Sequence, residues 1–313
     1  MAFTTYDQRT VDSTGAFMVG ELERFDKTLH EPLSSQTWGR DINLRTDVAI
    51  GDETTSFSRT GFAASGSPNP KGKNFIADVS TDIPGIDIDV SKATQPLYLW
   101  GMQLGYSIFE LDKAKQLGRP LEQQKMSGLK LKYNQYIDAI VYVGDVDLGK
   151  TGLLNNPAIS PSNVSTPWDS ATPKDILDAI NDILNVAWKQ SAFALCPTHL
   201  LLPPKAYTLL NQPVTLAGSR SILDYVSKDC MANGINGKPL VINPLKWLDK
   251  RGLGNTGRAV AYTKGQQYVR FPLVPINHTP VEFRNLSHIT TYYAKFGVVE
   301  FVYPETVAYA DGI

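Results

Sequence analysis

Between residues 52 and 95 the chain is rich in Thr, Ser, Gly, Pro and Asp, yet it keeps short runs with the two-residue period of a β-strand. The clearest is Ile86-Asp87-Ile88-Asp89-Val90, whose alternation puts Ile86, Ile88 and Val90 on one strand face and both aspartates on the other. Between Phe62 and Phe75 lies a stretch of Ala, Ser, Gly, Pro, Asn and Lys, the composition of an exposed loop tip. A segment this long with so few apolar side chains cannot build its own core. It predicts a projecting β-hairpin whose apolar face lies on some other surface.

The rest of the chain is ordinary globular material. Of its 313 residues, 42% are hydrophobic and 19% charged, which excludes a disordered chain, a collagen and a long coiled coil. At roughly 150 residues per domain, that length predicts two folding units. Thirty basic against thirty-one acidic side chains leave a formal charge of -1, so nothing in the total favours charge-driven binding to DNA or to an anionic membrane. Two cysteines, Cys196 and Cys230, are too few for a disulfide scaffold or a four-cysteine zinc site. The residues after Met1 are polar and predict no secretory leader, and no apolar run approaches the ~20 residues that span a bilayer. These features predict a soluble protein made in the reducing cytosol.

Helical spacing of Phe17, Leu22, Phe25 and Leu29 predicts an amphipathic helix over residues 14–30, ended by Pro32. A short helix is expected over 107–117, closed by Gly118. Pro120 suits a first helical position, and a long helix follows over 121–143 with Leu129, Tyr133, Tyr136, Ile137, Ile140 and Val141 in one stripe. At 1.5 Å per residue that helix is roughly 36 Å long, the length of a spine for the domain. Thr172-Pro173-Lys174-Asp175 reads as a capped helix start, followed by the apolar face of Ile176, Leu177, Ile180, Ile183, Leu184, Ala187 and Trp188. Strands are expected at 199–202, 240–242, 260–262 and 268–271, with the Lys264-Gly265 step as a hairpin turn between the last two. Short helices are expected at 204–210 and 219–228, and residues 249–257 form a polar, glycine-rich loop. The chain closes on strands 288–294 and 298–303, read as a hairpin turning at Lys295-Phe296-Gly297 and checked by Pro304.

The sharpest chemical motif is misleading. Gly144-Asp145-Val146-Asp147-Leu148-Gly149-Lys150-Thr151 satisfies the phosphate-binding pattern G-x-x-x-x-G-K-[S/T]. That chemistry needs a strand leading in and a helix starting at the lysine. Here a long amphipathic segment leads in, and Gly152-Leu153-Leu154-Asn155-Asn156-Pro157 follows, which forbids a sustained helix. Asp145 and Asp147 would also repel a polyphosphate. Asp87 and Asp89 share a strand face, the usual pattern of a solvated face. Asp145-x-Asp147 does not extend to a calcium loop, because Gly149 and Asn156 occupy ligand positions. His30, His199, His278 and His288 show no zinc spacing and no serine elbow to partner. Cys196 is expected buried and inert, and His199 packed. No catalytic, cofactor-binding or metal residue is assigned, and an enzyme is not expected.

Gly152-Leu153-Leu154-Asn155-Asn156-Pro157 resembles the G-L-L-N-x-P turn of tailed-phage major capsid proteins and of their relatives, the encapsulin shell proteins. Gly105-Tyr106-Ser107-Ile108-Phe109-Glu110-Leu111 is similar to the G-Y-S-x-x-E-L stretch before the long helix of that family, and Arg119-Pro120-Leu121 to its helix opening. The ending from Val302 to Ile313 is similar to the family's closing strand. The resemblance runs from about Asp52 to the end of the chain.

It implies an α+β Hong Kong 97-like capsid fold, also called the Johnson fold. Residues 1–43 would be the N-arm and 44–100 the extended loop. Residues 101–155 with 273–313 would form the peripheral domain with the spine helix, and 156–272 the axial domain. The implied function is that of a major capsid protein, a non-enzymatic subunit assembling with itself into pentamers and hexamers of an icosahedral shell around double-stranded DNA. DNA would be contacted weakly, a portal and a separate scaffolding protein are expected partners, decoration proteins are possible ones, and no membrane is involved. The location implied is the virion, with assembly in the host cytoplasm. Some members carry a scaffolding segment ahead of the N-arm, which this sequence does not show. Some also cross-link an extended-loop lysine to an asparagine; Lys71, Lys73 and Lys92 lie in the loop, but the cross-link is not expected here. Candidate interface residues are Phe62, Phe75, Ile86, Ile88 and Val90 of the hairpin, and Asp249, Lys250 and Arg251 of the loop meant to meet its copies near the symmetry axes. The alternatives are an encapsulin-type compartment and, from another class, a P-loop phosphotransferase using residues 144–151.

Overall fold

The computed structural model describes residues 34–65, 85–117, 121–214 and 220–313. The helix expected over 14–30, the candidate Phe75, and Lys71 and Lys73 lie outside them. Helix α1 (Trp38–Asp41) leads into β1 (Asn43–Arg45), and the hairpin strands are β2 (Thr54–Ser65) and β3 (Gly85–Pro96). Strand β4 (Tyr98–Ser107), helix α2 (Ile108–Leu117) and the spine helix α3 (Leu121–Tyr142) follow. The 22 residues of α3 make it about 33 Å long. Its stripe of Leu129, Tyr133, Ile137, Ile140 and Val141 is buried as expected. Tyr136 lies at the margin, its ring edge-on to Phe296 at 5.6 Å.

The spine ends on a turn that uses every residue of the Gly-Leu-Leu-Asn sequence. Leu153 N–H donates to Val141 O and Leu154 N–H to Tyr142 O, while Asn155 Nδ2 donates to Val143 O. The last helical carbonyls, orphaned in any helix, are thereby satisfied by the chain folding back along its own final turn. That return is possible only without a side chain at 152, where a Cβ would stand 2.5 Å from the Tyr142 carbonyl. Leu153 and Leu154 then enter the core fully buried.

Helix α4 (Pro173–Gln190) begins at a capping box, with Thr172 Oγ1 accepting from Asp175 N and the Asp175 carboxylate accepting from Thr172 N. Strand β8 (His199–Leu202), helices α5 (Pro204–Leu209), α6 (Ile222–Asp229) and α7 (Met231–Asn236), and strands β9 (Val241–Pro244) and β10 (Arg258–Tyr262) come next. They are followed by β11 (Val269–Pro272), β12 (Asn277–His278), β13 (Glu282–Arg284), β14 (Ser287–Phe296), β15 (Glu300–Phe301) and β16 (Val307–Asp311). Before these, β5 (Gly144–Asp145) pairs with β6 (Lys150–Thr151), and β7 (Ser162–Asn163) stands alone until β16 returns.

Three sheets organise the body. A five-stranded sheet has the order β7-β16-β10-β8-β9, a three-stranded sheet the order β1-β11-β15, and a third joins β12, β13 and β4 to β14. The five-stranded sheet is buried on both faces. Val260, Tyr262, Leu201, Val307 and Tyr309 turn toward the spine helix, and Ala259, Ala261, Ala308 and Ala310 toward α4. Small side chains on the second face let α4 pack Ile176, Ile180, Ile183 and Leu184 closely against it.

Two expectations are corrected. Lys264-Gly265 does turn the chain, but β10 and β11 do not pair; β10 lies between β8 and β16, whereas β11 lies between β1 and β15. The closing hairpin does not form either, because β14 pairs along ten residues with β4 and β15 joins β11. Residues 307–311 form β16, which lies between β7 and β10 in the five-stranded sheet. Distant partners outcompeted the nearest strand in each case, since apolar strands flanked on both sides bury more surface.

The Gly152→Ala substitution should lower stability by about 2–4 kcal/mol, because the added methyl collides with backbone and not with a movable side chain. Thermal unfolding of the subunit measures it.

Candidate assembly interface

The twelve paired residues of β2 and β3 run from Thr54 opposite Pro96 to Ser65 opposite Gly85. Phe62 stands opposite Ile88 and Thr60 opposite Val90, so Phe62, Ile86, Ile88 and Val90 share one face. They are 75, 75, 62 and 60% exposed. On the opposite face Asp87 and Asp89 meet solvent, while near the hairpin base Thr55 is buried and Phe57 and Arg59 are half-buried against the body. The hairpin is therefore fixed at its base and carries an uncovered apolar face toward its tip. Covering those four side chains is worth roughly 6–10 kcal/mol before the cost of association, enough to hold a subunit contact. Such a face has no use in an isolated molecule.

The second set of candidates belongs to the loop between β9 and β10. Asp249 and Lys250 are exposed, and Leu253 is 73% exposed on a short 3-10 turn (Leu253–Asn255). Arg251 is half-buried, with its Nε enclosed and without a partner among the described residues. The loop is fastened to the end of β16, where Asp311 accepts from Leu253 N at 3.0 Å and from Arg258 at 2.6 and 2.8 Å. Hairpin and loop thus hang from different sheets and form two separate surfaces. A third surface escaped the sequence reading. Ile108 and Phe109 at the start of α2 lie beside the β13–β14 turn, where Leu286 O accepts from Ile108 N and where Phe283 and Leu286 are 77 and 66% exposed. Its one sequence signal is Asn285 at a two-residue turn, and Asn285 and Leu286 both have positive φ.

The phosphate-like motif is a small hairpin. Lys150 stands on β6 opposite Asp145, and the Asp145 carboxylate accepts from the N–H groups of Asp147 and Leu148 in its own turn. No helix begins at the lysine, so its amides have no phosphate cradle to form. Among the described residues no group of three His, Cys, Asp or Glu side chains could hold a metal. Cys196 is buried and its thiol is pushed up to about 11 by desolvation, which leaves it protonated and unreactive. His199 is packed against Tyr262, with ring centroids 5.5 Å apart, and burial lowers its pKa to about 4. Its neutral folded form becomes a liability on acidification: stability is fully present above pH 6.5 and declines as pH falls toward 4. Unfolding midpoints measured from pH 7 to pH 4.5 should fall more for the natural chain than for His199→Gln.

A spine helix crossed by a long β-pair, a doubly covered sheet with its own helical layer and a projecting hairpin with a bare apolar face define a shell-building subunit. The fold is the Hong Kong 97-like capsid fold. Residues 72–313 match the family model described as major capsid protein, and the chain belongs to that family. The capsid protein of the Myoviridae phage XM1 superposes with a TM-score of 0.76 at 15% identity, covering 94% of this chain and 98% of that one. The chain of Mycobacterium phage Adephagia gives 0.62 at 12% identity, covering 98% of both. The capsid of a native GTA particle gives 0.62 at 13% identity, covering 99% of both. No curated protein matches the sequence. As a capsid protein the chain acts by associating with copies of itself, and among the described residues no helix is long and apolar enough to cross a membrane.

Proposed function

We propose that the chain is the major capsid subunit of a tailed phage, closing into pentamers and hexamers of an icosahedral shell around double-stranded DNA, with the hairpin of each copy laid on a neighbour. The observation that carries this reading is the uncovered face of Phe62, Ile86, Ile88 and Val90. Near-neutral charge supports a lining that touches DNA weakly, since a strongly basic wall would oppose orderly packing and release of the genome. The proposed division is an N-arm over 1–43, an extended loop over 44–100, a peripheral domain of 101–155 with 273–313, and an axial domain of 156–272. A portal, a separate scaffolding protein and decoration proteins are the partners this role calls for, and the host cytoplasm is the site of assembly. Nuclease-protected double-stranded DNA in particles from the natural host supports the reading; a protein cargo without DNA would move it to an encapsulin-type shell.

Ile88→Ser should leave the subunit's own stability within about 0.5 kcal/mol, because the side chain is exposed there, while sharply reducing the yield of closed shells. Sedimentation of particles against thermal unfolding of the subunit measures both. At the loop, Asp249, Lys250 and Arg251 would meet their copies around the axes. Lys250→Glu, at an exposed position, should weaken capsomers, and more so at low salt, where surface charges are less screened. Analytical ultracentrifugation across a salt series reads this out.

A further inference from the structure

We propose that Arg45, seated on the buried carboxylate of Glu300, is a positioning residue that sets the angle at which the hairpin leaves the body, and through it the width of the shell. The proposal rests on the reading that the hairpin lies on a neighbouring copy.

Glu300 has no exposed side-chain surface and lies on β15, held from two sides. Arg270 Nε donates to it at 2.7 Å from β11, and Arg45 NH1 donates at 3.1 and 3.2 Å from β1. Every face of the Arg45 guanidinium is used. Nε and NH2 reach the Asp47 carboxylate at 2.8 and 3.3 Å, and NH1 also reaches the backbone carbonyl of Ser56, 3.1 Å away on hairpin strand β2. From the hairpin, Arg59 NH2 answers by donating to the Phe301 carbonyl on β15 at 2.7 Å. The guanidinium carbons of Arg59 and Arg270 stand 5.7 and 5.9 Å from the Phe57 ring centre. Strand β2 is thus tied to the body just beyond its origin by two guanidinium bonds to backbone carbonyls, one in each direction, with an aromatic ring between the cations.

These bonds act where the lever is longest. Residues 60–65 of β2, beyond the clamp, carry Phe62, and a small rotation at Ser56 is multiplied along the strand at about 3.3 Å per residue. A planar, fork-shaped cation holds two carboxylates and a carbonyl with five donors in fixed directions; an ammonium group is a compact point charge on a flexible stem and does not fix their relative placement. The sequence hides all of this, because Arg45 and Glu300 are 255 positions apart.

Glu300→Gln would take the buried carboxylate from Arg45 and leave Arg270 without the one it holds, and its failure to fold would teach nothing. Arg45→Lys keeps the charge against Glu300 and gives up the fork, and Arg59→Met removes the return bond without touching any ion pair found among the described residues. Full-length chains carrying each change should be expressed and their particles purified. Amide exchange in 54–59 should rise about tenfold, the effect of losing one such bond, while exchange in β8 and β10 is unchanged. Particle diameters by electron microscopy should broaden from one class to several. Uniform particles of the native diameter from both variants would overturn the proposal, whatever the exchange rates. If Ile88→Ser also gave normal shells, the hairpin reading itself would fall; defective shells there with uniform ones here would remove the hinge alone.

Discussion

A two-stranded ribbon in water is at best marginally stable, and this chain extends one for twelve residues with its apolar side bare. That imbalance orders the rest of the structure. The free-energy deficit is made up at the base, where Thr55, Phe57 and Arg59 turn inward and charged bonds tie β2 to β15. Toward the tip none of the described residues covers Phe62, Ile86, Ile88 and Val90. In the proposed reading, that part of the hydrophobic stabilisation is collected on assembly.

The body that bears this projection is held by buried carboxylates that cross from one element to another. Asp138 on the spine helix accepts from Thr37 N, Trp38 N and Trp247 Nε1, joining the incoming chain and the segment after β9 to the helix. Asp41 accepts from Arg40, from Tyr142 at the helix end and from Asn243 on β9. Asp311 fastens the last strand to Arg258 and to the loop at Leu253. Each carboxylate is buried with several donors, the condition under which a buried charge is tolerated. These groups make the relation between spine helix and five-stranded sheet a fixed one, against which a hinged hairpin has meaning.

Local chemistry made much of this readable. The Thr172 capping box, the buried stripe of α3 and the alternation at 86–90 each depend on residues within a few positions of one another, and the elements formed where those signals stood. Pairing was not readable to the same degree. Residues 307–310 are apolar on both faces because the spine helix covers one side of their sheet and α4 the other, a reading that continuous apolar character permits but does not assign to a sheet. The strands β11 and β15 were legible as strands, yet β1, the other partner of β11, lies more than two hundred residues upstream. Of the candidate interface, Ile86, Ile88 and Val90 share one face, as their alternation implied, and that face and Phe62 are exposed, as are Asp249 and Lys250. Arg251, which sequence alone placed with them, is half-enclosed. Arg45, Arg59 and Glu300 carried no local signal at all, because isolated charges in a sequence look alike until a fold brings them together.

Electron cryomicroscopy of the assembled particle, at a resolution that shows side chains, tests the central claim most directly. The account predicts that the face carrying Phe62 and Ile88 is buried against the body of another copy, with Asp87 and Asp89 turned away from that contact. A shell in which those side chains stay in solvent, or fold back on their own subunit, would contradict it.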